Sequence, residues 1–222
     1  MFDIDGTLLQ GATRAHACAL REAAAAVHGV APLVGEVEVA GRTDQAIARD
    51  LLAAAGVTGA DVDARAREVL ARTVVEYERL VDDDLSAFVA PGVPELLSAL
   101  ADRPSEFRLS LVTGNLEPIA HLKLARAGIG AFFARGQGGF GSDSEHREEL
   151  PAIARARAAS PAWPRERTVV IGDTPRDIAC ARADGVRVAA VTTGWFDAAA
   201  LAEADAVVDD ARALLPVFED WL

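Results

Sequence analysis

The sequence predicts an α/β fold, a doubly wound parallel sheet with a helical domain inserted near its start, on three observations. Over the second half of the 222-residue chain, short β-branched runs alternate with helical patterns. Each run ends in a turn that feeds a helix, the arrangement of βαβ units in a parallel sheet. Residues 12 to 88 carry helical periodicity with almost no strand signal. The acidic turn "FDIDG" directly follows the first apolar residues, so the helical stretch interrupts the sheet after its first strand.

The elements follow in order. Only Met1 and Phe2 precede Asp3, whereas a central strand typically has about five residues. The natural chain is therefore expected to start upstream of Met1. "RAHACALREAAAAVHGV", "TDQAIARDLLAAAGV" and "DVDARAREVLARTVVEYERLV" read as three helices, with Thr43 and Asp61 as N-caps of the second and third. "VDDDLS" reads as a solvated hinge. From "FVAPGVPELLSALA" onward the pattern changes, and "RLSLVTGN", "RTVVIGD", "VRVAAVTTG" and "ADAVVDD" read as strands. The expected domains are a core of residues 1–11 and 89–222 and a helical cap of residues 12–88. In open α/β sheets a ligand sits beyond the carboxyl ends of the strands, where such an insert forms a lid.

Charge narrows the partners. The formal net charge is −12, a field that repels nucleic acid and anionic membranes and leaves an anionic ligand dependent on a local cation or arginine. No apolar run reaches the ~20 residues of a membrane span, so a soluble cytoplasmic monomer or homodimer is expected. Lys123 is the only lysine and reads as a surface or helix-packing residue. Cys18 and Cys180 lack ligand spacing and read as small buried apolar residues of a reducing compartment. His16, His28, His121 and His146 show no metal-ligand spacing either and read as surface or packing residues, with His146 alternatively lining the site. Trp195 and Phe196 are expected to pack beside the last strand turn.

Four clusters fall at strand or helix ends: "FDIDG", "LVTGN", "SEHREE" and "VIGDTPRD". Strand-end loops of a parallel sheet converge, which brings Asp3, Asp5, Thr113, Asn115, Arg147, Asp173 and Asp177 together. Four carboxylates in one crevice repel unless a cation sits among them, and hard oxygen donors favour Mg²⁺.

"DIDGTLL", "LVTGN", the basic residue before "ELPAIA", and "GDTPRD" resemble, in order and spacing, the four motifs of the haloacid dehalogenase (HAD) superfamily. The resemblance is to its phosphoglycolate phosphatase-like branch with a helical cap, and it covers essentially the whole chain. It implies a Rossmann-like core and a Mg²⁺-dependent phosphatase of a small phosphorylated metabolite, working through an aspartyl-phosphate. Asp3 would be the nucleophile and Asp5 the acid and base at the leaving oxygen and the water. The resemblance further implies Mg²⁺ at Asp3, the Asp5 carbonyl and Asp173, with Asp177 in support. Thr113, Gly114 and Asn115 would hold phosphate oxygens, and Gly6 would turn the chain beside the ligand.

Dehalogenases of this superfamily lack an acid at the place of Asp5, so Asp5 favours phosphoryl transfer. The third motif usually presents lysine, where this chain has Arg147; arginine keeps the charge and can bind a phosphoryl oxygen pair bidentately. Its plainer reading is a helix-surface arginine paired with a glutamate. Arg42, in "EVAGRTDQAI", is similar to a specificity residue of capped relatives or is an ordinary loop residue. A β-phosphoglucomutase-type phosphomutase and a non-catalytic HAD-like binding module are the alternatives. A phosphonatase would need a cap lysine, which is missing.

Overall fold

The computed structural model describes residues 1–29, 38–59, 61–159 and 161–222. Helices α1 (Arg14–His28), α2 (Asp44–Ala54) and α3 (Asp61–Leu80) come first. After α4 (Val93–Ala101) follow β1 (Val112–Thr113), α5 (Glu117–Arg126), β2 (Gly139–Phe140), α6 (Leu150–Ala158) and β3 (Val169–Gly172). The chain then runs through α7 (Pro175–Asp184), β4 (Arg187–Val191), β5 (Ala206–Val208) and α8 (Leu214–Asp220).

Residues 1–3 hold the sheet together. β1 pairs in parallel with β2, and β4 lies in parallel between β3 and β5. Phe2 bridges Leu111 on one side and Ile171 on the other, both in parallel, and the Asp3 amide donates to the Ile171 carbonyl at 2.9 Å. The order across the sheet is therefore β2, β1, residues 1–3, β3, β4, β5. Strand alternation splits the buried side chains between two faces. Leu111, Ile171, Ala189 and Val191 pack with α4, α5 and α8. Val112, Val170, Val188 and Ala190 pack with α6 and α7. Helices on both faces make the sheet doubly wound, as expected.

The four strands expected from sequence contain β1, β3, β4 and β5. β2 was missed because it is two residues long, begins with glycine and lacks a β-branched residue. Helix α1 buries His16, Ala19, Leu20, Ala23 and Ala24, the i, i+3, i+4, i+7 stripe of an amphipathic helix. With α2 and α3 it forms a small core of its own around Leu20, Ile47, Leu52 and Val69. Thr43 caps α2 by accepting the Ala46 amide at 3.2 Å. Asp61 is the first residue of α3 rather than its cap, and residue 60 lies outside the described residues. Among the described residues no helix is long and apolar enough to cross a membrane.

Candidate active site

The chain turns sharply after Asp3. The Leu8 and Leu9 amides both donate to the Ile4 carbonyl at 2.9 Å, and the Gly6 amide donates to the Leu9 carbonyl at 2.8 Å. Gly6 sits at φ +91, and a Cβ there would lie 2.2 Å from Asp173 Oδ2. Only glycine satisfies both conditions. The turn puts Asp3 and Asp5 at the floor of a cavity of about 360 Å³, which Asn115, Arg147, Asp173 and Arg42 also line. The segments that end at the site are the carboxyl ends of the first strand, β1 and β3, together with the turn before α6.

Asp3, Asp173 and Asp177 are buried, and each can offer an oxygen within 4.8 Å of the others. Burial first, and then the repulsion of Asp177 and Asp5, push the Asp3 carboxyl up to about 6 against the pull of Arg147. Burial and the neighbouring Asp3 and Asp177 push Asp173 to about 8, although Thr7 donates its hydroxyl to Asp173 at 3.1 Å. Carboxylates whose ionisation is this costly, grouped within ligand reach of one point, fit a hard divalent cation. Asp177 is the least available of the three. One of its oxygens pairs with Arg147, and the other accepts the Thr174 amide at 3.0 Å and hydroxyl at 2.7 Å in the capping box of α7. It supports the cluster more than it faces the cavity.

Arg147 is buried, in the turn preceding α6. Its guanidinium stands between Asp177 and Asp3, 3.3 Å from Asp3 Oδ2, and its Nε has no partner. A surface arginine paired with a glutamate is thus not what the fold contains. The Nε is buried, and the Arg147 side chain also neighbours the Cys180 thiol.

Asp5 is held separately. Its carboxylate accepts from Lys123 Nζ at 2.8 Å and 2.6 Å and from Asn115 Nδ2 at 2.8 Å. Burial raises its carboxyl pKa, but the charge of Lys123 and these hydrogen bonds outweigh burial and lower it overall. Lys123, expected on the surface or in helix packing, is 0% exposed. It is not at the surface because it lies on the inward stripe of α5 with Ile119, Ala120 and Leu124, and a buried ammonium needs partners, which Asp5 and Asn115 supply. His16, expected to be surface or packing, is also buried and joins Lys123 and Asp44. The signal was present in the sequence: in both helices a polar residue occupies an apolar stripe.

Thr113 is fully buried behind the cavity, where its hydroxyl accepts Asn115 Nδ2 at 2.9 Å. It orients Asn115 instead of facing a ligand. Gly114 is tied to the helical segment, since the Asp44 amide donates to its carbonyl at 2.8 Å. Arg42 lines the cavity but pairs with Asp50. Trp195 does not pack beside the strand turn: it is 91% exposed at the cavity mouth, while Phe196 packs on the second core cluster. Cys180 is buried, as expected, whereas Cys18 is half-exposed; both are free thiols. His146 is exposed and is not among the cavity-lining residues.

The model of the haloacid dehalogenase-like hydrolase family matches residues 1–182. A phosphoglycolate phosphatase of Rhodospirillum rubrum is 32% identical to the chain over 230 aligned positions, covering all of the chain and 89% of that protein. Among solved structures, a hydrolase from Pseudomonas syringae superposes with a TM-score of 0.67 at 20% identity, covering 99% of this chain and 96% of the other. A β-phosphoglucomutase from Clostridium difficile superposes with a TM-score of 0.67 at 17% identity, covering 99% and 95%.

Proposed function

The chain belongs to the haloacid dehalogenase-like hydrolase family, and we propose that within it the protein is a Mg²⁺-dependent phosphatase of a small phosphomonoester resembling phosphoglycolate. One observation carries the reading: Asp3 stands at a cavity floor with Arg147 on one side and Asp173 on the other. That is a nucleophile with a guanidinium on one side to meet the phosphoryl charge and, on the other, a carboxylate that would help hold the metal ion. The 32% identity to a phosphoglycolate phosphatase supports the substrate class.

In this reading Asp3 attacks phosphorus in line with the leaving oxygen and becomes an aspartyl-phosphate. Asp5, two residues along, gives a proton to the leaving oxygen and later takes one from the attacking water. Arg147 offers its guanidinium charge to a phosphoryl oxygen while keeping Asp3 in place. The Gly114 amide is placed to meet another phosphoryl oxygen, while Asn115, whose side-chain donors are taken by Asp5 and Thr113, orients Asp5 beside it. Mg²⁺ would be held by Asp3, the Asp5 carbonyl and Asp173, with Asp177 in support, and when bound it neutralises charge on the transferring group. Residues 12–88 act as a cap over a core of residues 1–11 and 89–222, limiting substrate size and excluding water. Arg42 is the cap residue placed to meet a second anionic group of the substrate, on exchanging its Asp50 partner. The setting is the cytoplasm.

The test is phosphate release from a panel of small phosphomonoesters, phosphoglycolate and sugar phosphates included, in Mg²⁺ and in EDTA. Turnover that requires the metal and disappears in Asp3→Asn is expected. A folded chain that releases no phosphate from any of them would overturn the reading in favour of a binding module. Interconversion of sugar phosphates without net phosphate release would make it a phosphomutase.

A further inference from the structure

The only lysine of the chain has no place in the reaction outlined above, yet it is the most enclosed charge among the described residues. Its hydrogen bonds account for all three ammonium protons. One is shared between the two oxygens of Asp5, at 2.8 Å and 2.6 Å. One goes to Asn115 Oδ1 at 2.7 Å, and one to His16 Nδ1 at 3.2 Å. Because Nδ1 of His16 accepts, its proton sits on Nε2, which donates to Asp44 Oδ2 at 3.0 Å. The other Asp44 bond comes from the Leu116 amide at 2.8 Å. The Tyr77 ring closes the remaining side of the cage, its centroid 5.8 Å from Nζ.

Asn115 is equally determined. Its carbonyl oxygen takes the lysine, and its amide donates to Asp5 Oδ2 at 2.8 Å and to Thr113 Oγ1 at 2.9 Å. With Oδ1 and Oδ2 both gripped by one ammonium and Oδ2 also by Asn115, the carboxylate of Asp5 has a single permitted plane. Its side chain keeps 20% of its surface open, whereas that of Lys123 keeps none. The ammonium is thus shut away from any ligand while the group it grips is not.

From this geometry we infer that Lys123 is a positioning residue for the acid–base step: it fixes the Asp5 carboxylate at the leaving-group side of the cavity and does not itself touch substrate. The inference rests on the phosphatase reading. It separates two cationic tasks between two residues, with Arg147 serving Asp3 and Lys123 serving Asp5. The lysine's third acceptor, His16, and the aromatic wall, Tyr77, come from α1 and α3, so the geometry of Asp5 depends on the helical segment being seated on the sheet.

The experiment compares Lys123→Met with the unchanged protein by kcat/KM, which reports events only through departure of the leaving group. Two substrates are used. A small alkyl phosphate needs a proton to release its alkoxide, and 2,4-dinitrophenyl phosphate releases a phenolate that needs none. Positioning of Asp5 predicts a loss of about 100-fold for the alkyl phosphate, at the lower end of what proton transfer contributes, and less than about fivefold for the aryl phosphate. The Mg²⁺-induced rise in Tm should stay unchanged, because Asp3 and Asp173 are not disturbed. Equal losses on both substrates, or no loss on either, would overturn the inference. If Lys123→Met does not fold, Lys123→Gln, which keeps a donor without the charge, is measured in the same way against the same two outcomes. An unchanged protein that cleaves neither substrate would overturn the phosphatase reading and this inference with it, which distinguishes the two failures.

Discussion

Asp3 and Asp173 are carboxylates held where ionisation is costly, and that cost has a measurable consequence. Their carboxyls are raised from 3.8 to about 6 and about 8, by burial first and by neighbouring carboxylates next. Each therefore binds its proton more tightly folded than unfolded. By linkage, stability is fully present below the unfolded value and is lost as pH rises through the folded one. In EDTA the Tm should fall as pH rises from about 4 to about 8. A divalent cation bound to the ionised cluster offsets the loss, so the Mg²⁺-induced increase in Tm should grow with pH across the same window. Thermal denaturation at a series of pH values, with and without Mg²⁺, checks this; a metal effect that is flat or shrinks with pH would contradict it. At this scale the acidic residues were legible in the sequence, because motif order and strand-end position both mark them. Lys123 was not legible, because a lone lysine on an apolar helix face is informative only when its partners are known, and these lie as far away as Asp5 in sequence.

Among elements, the contact between the residues leading into α2 and the loop after β1 matters most. The Gly114 carbonyl accepts the Asp44 amide, and a Cβ on Gly114 would lie 1.9 Å from the Arg42 carbonyl oxygen. The approach is backbone to backbone, so no rotamer can relieve it. Gly114→Ala should push the leading loop of α2 off the sheet, raising KM and lowering kcat/KM by about tenfold or more, since small misplacements near the reacting atoms are costly. Steady-state kinetics with circular dichroism would show this, and unchanged kcat/KM would mean that the contact does not shape the site. Helices were the most legible elements, as the stripe of α1 shows. β2 was invisible because the parallel pairing of Gly139–Phe140 depends on the neighbour already in place at β1, which local propensity does not encode.

For the molecule as a whole, a chain of net charge −12 sets one buried arginine and its only lysine against the carboxylates of one site. The first strand, the loop after β1, the turn before α6 and the end of β3 bring Asp3, Asn115, Arg147 and Asp173 to one cavity. The alternation of strands and helices made this convergence legible, because parallel strands all end on the same side. The cage of Lys123 and His16 around Asp5 was not legible, since it arises from packing across the sheet and the inserted helices. The claim that joins these scales is that Asp3 becomes phosphorylated. The most direct measurement is to quench the enzyme during turnover, reduce any acyl phosphate with borohydride, and sequence the Met1–Arg14 tryptic peptide by mass spectrometry. Homoserine at position 3, with Asp5 unchanged, is the predicted result. Turnover with no reduction at Asp3, or reduction at another carboxylate, would contradict the account.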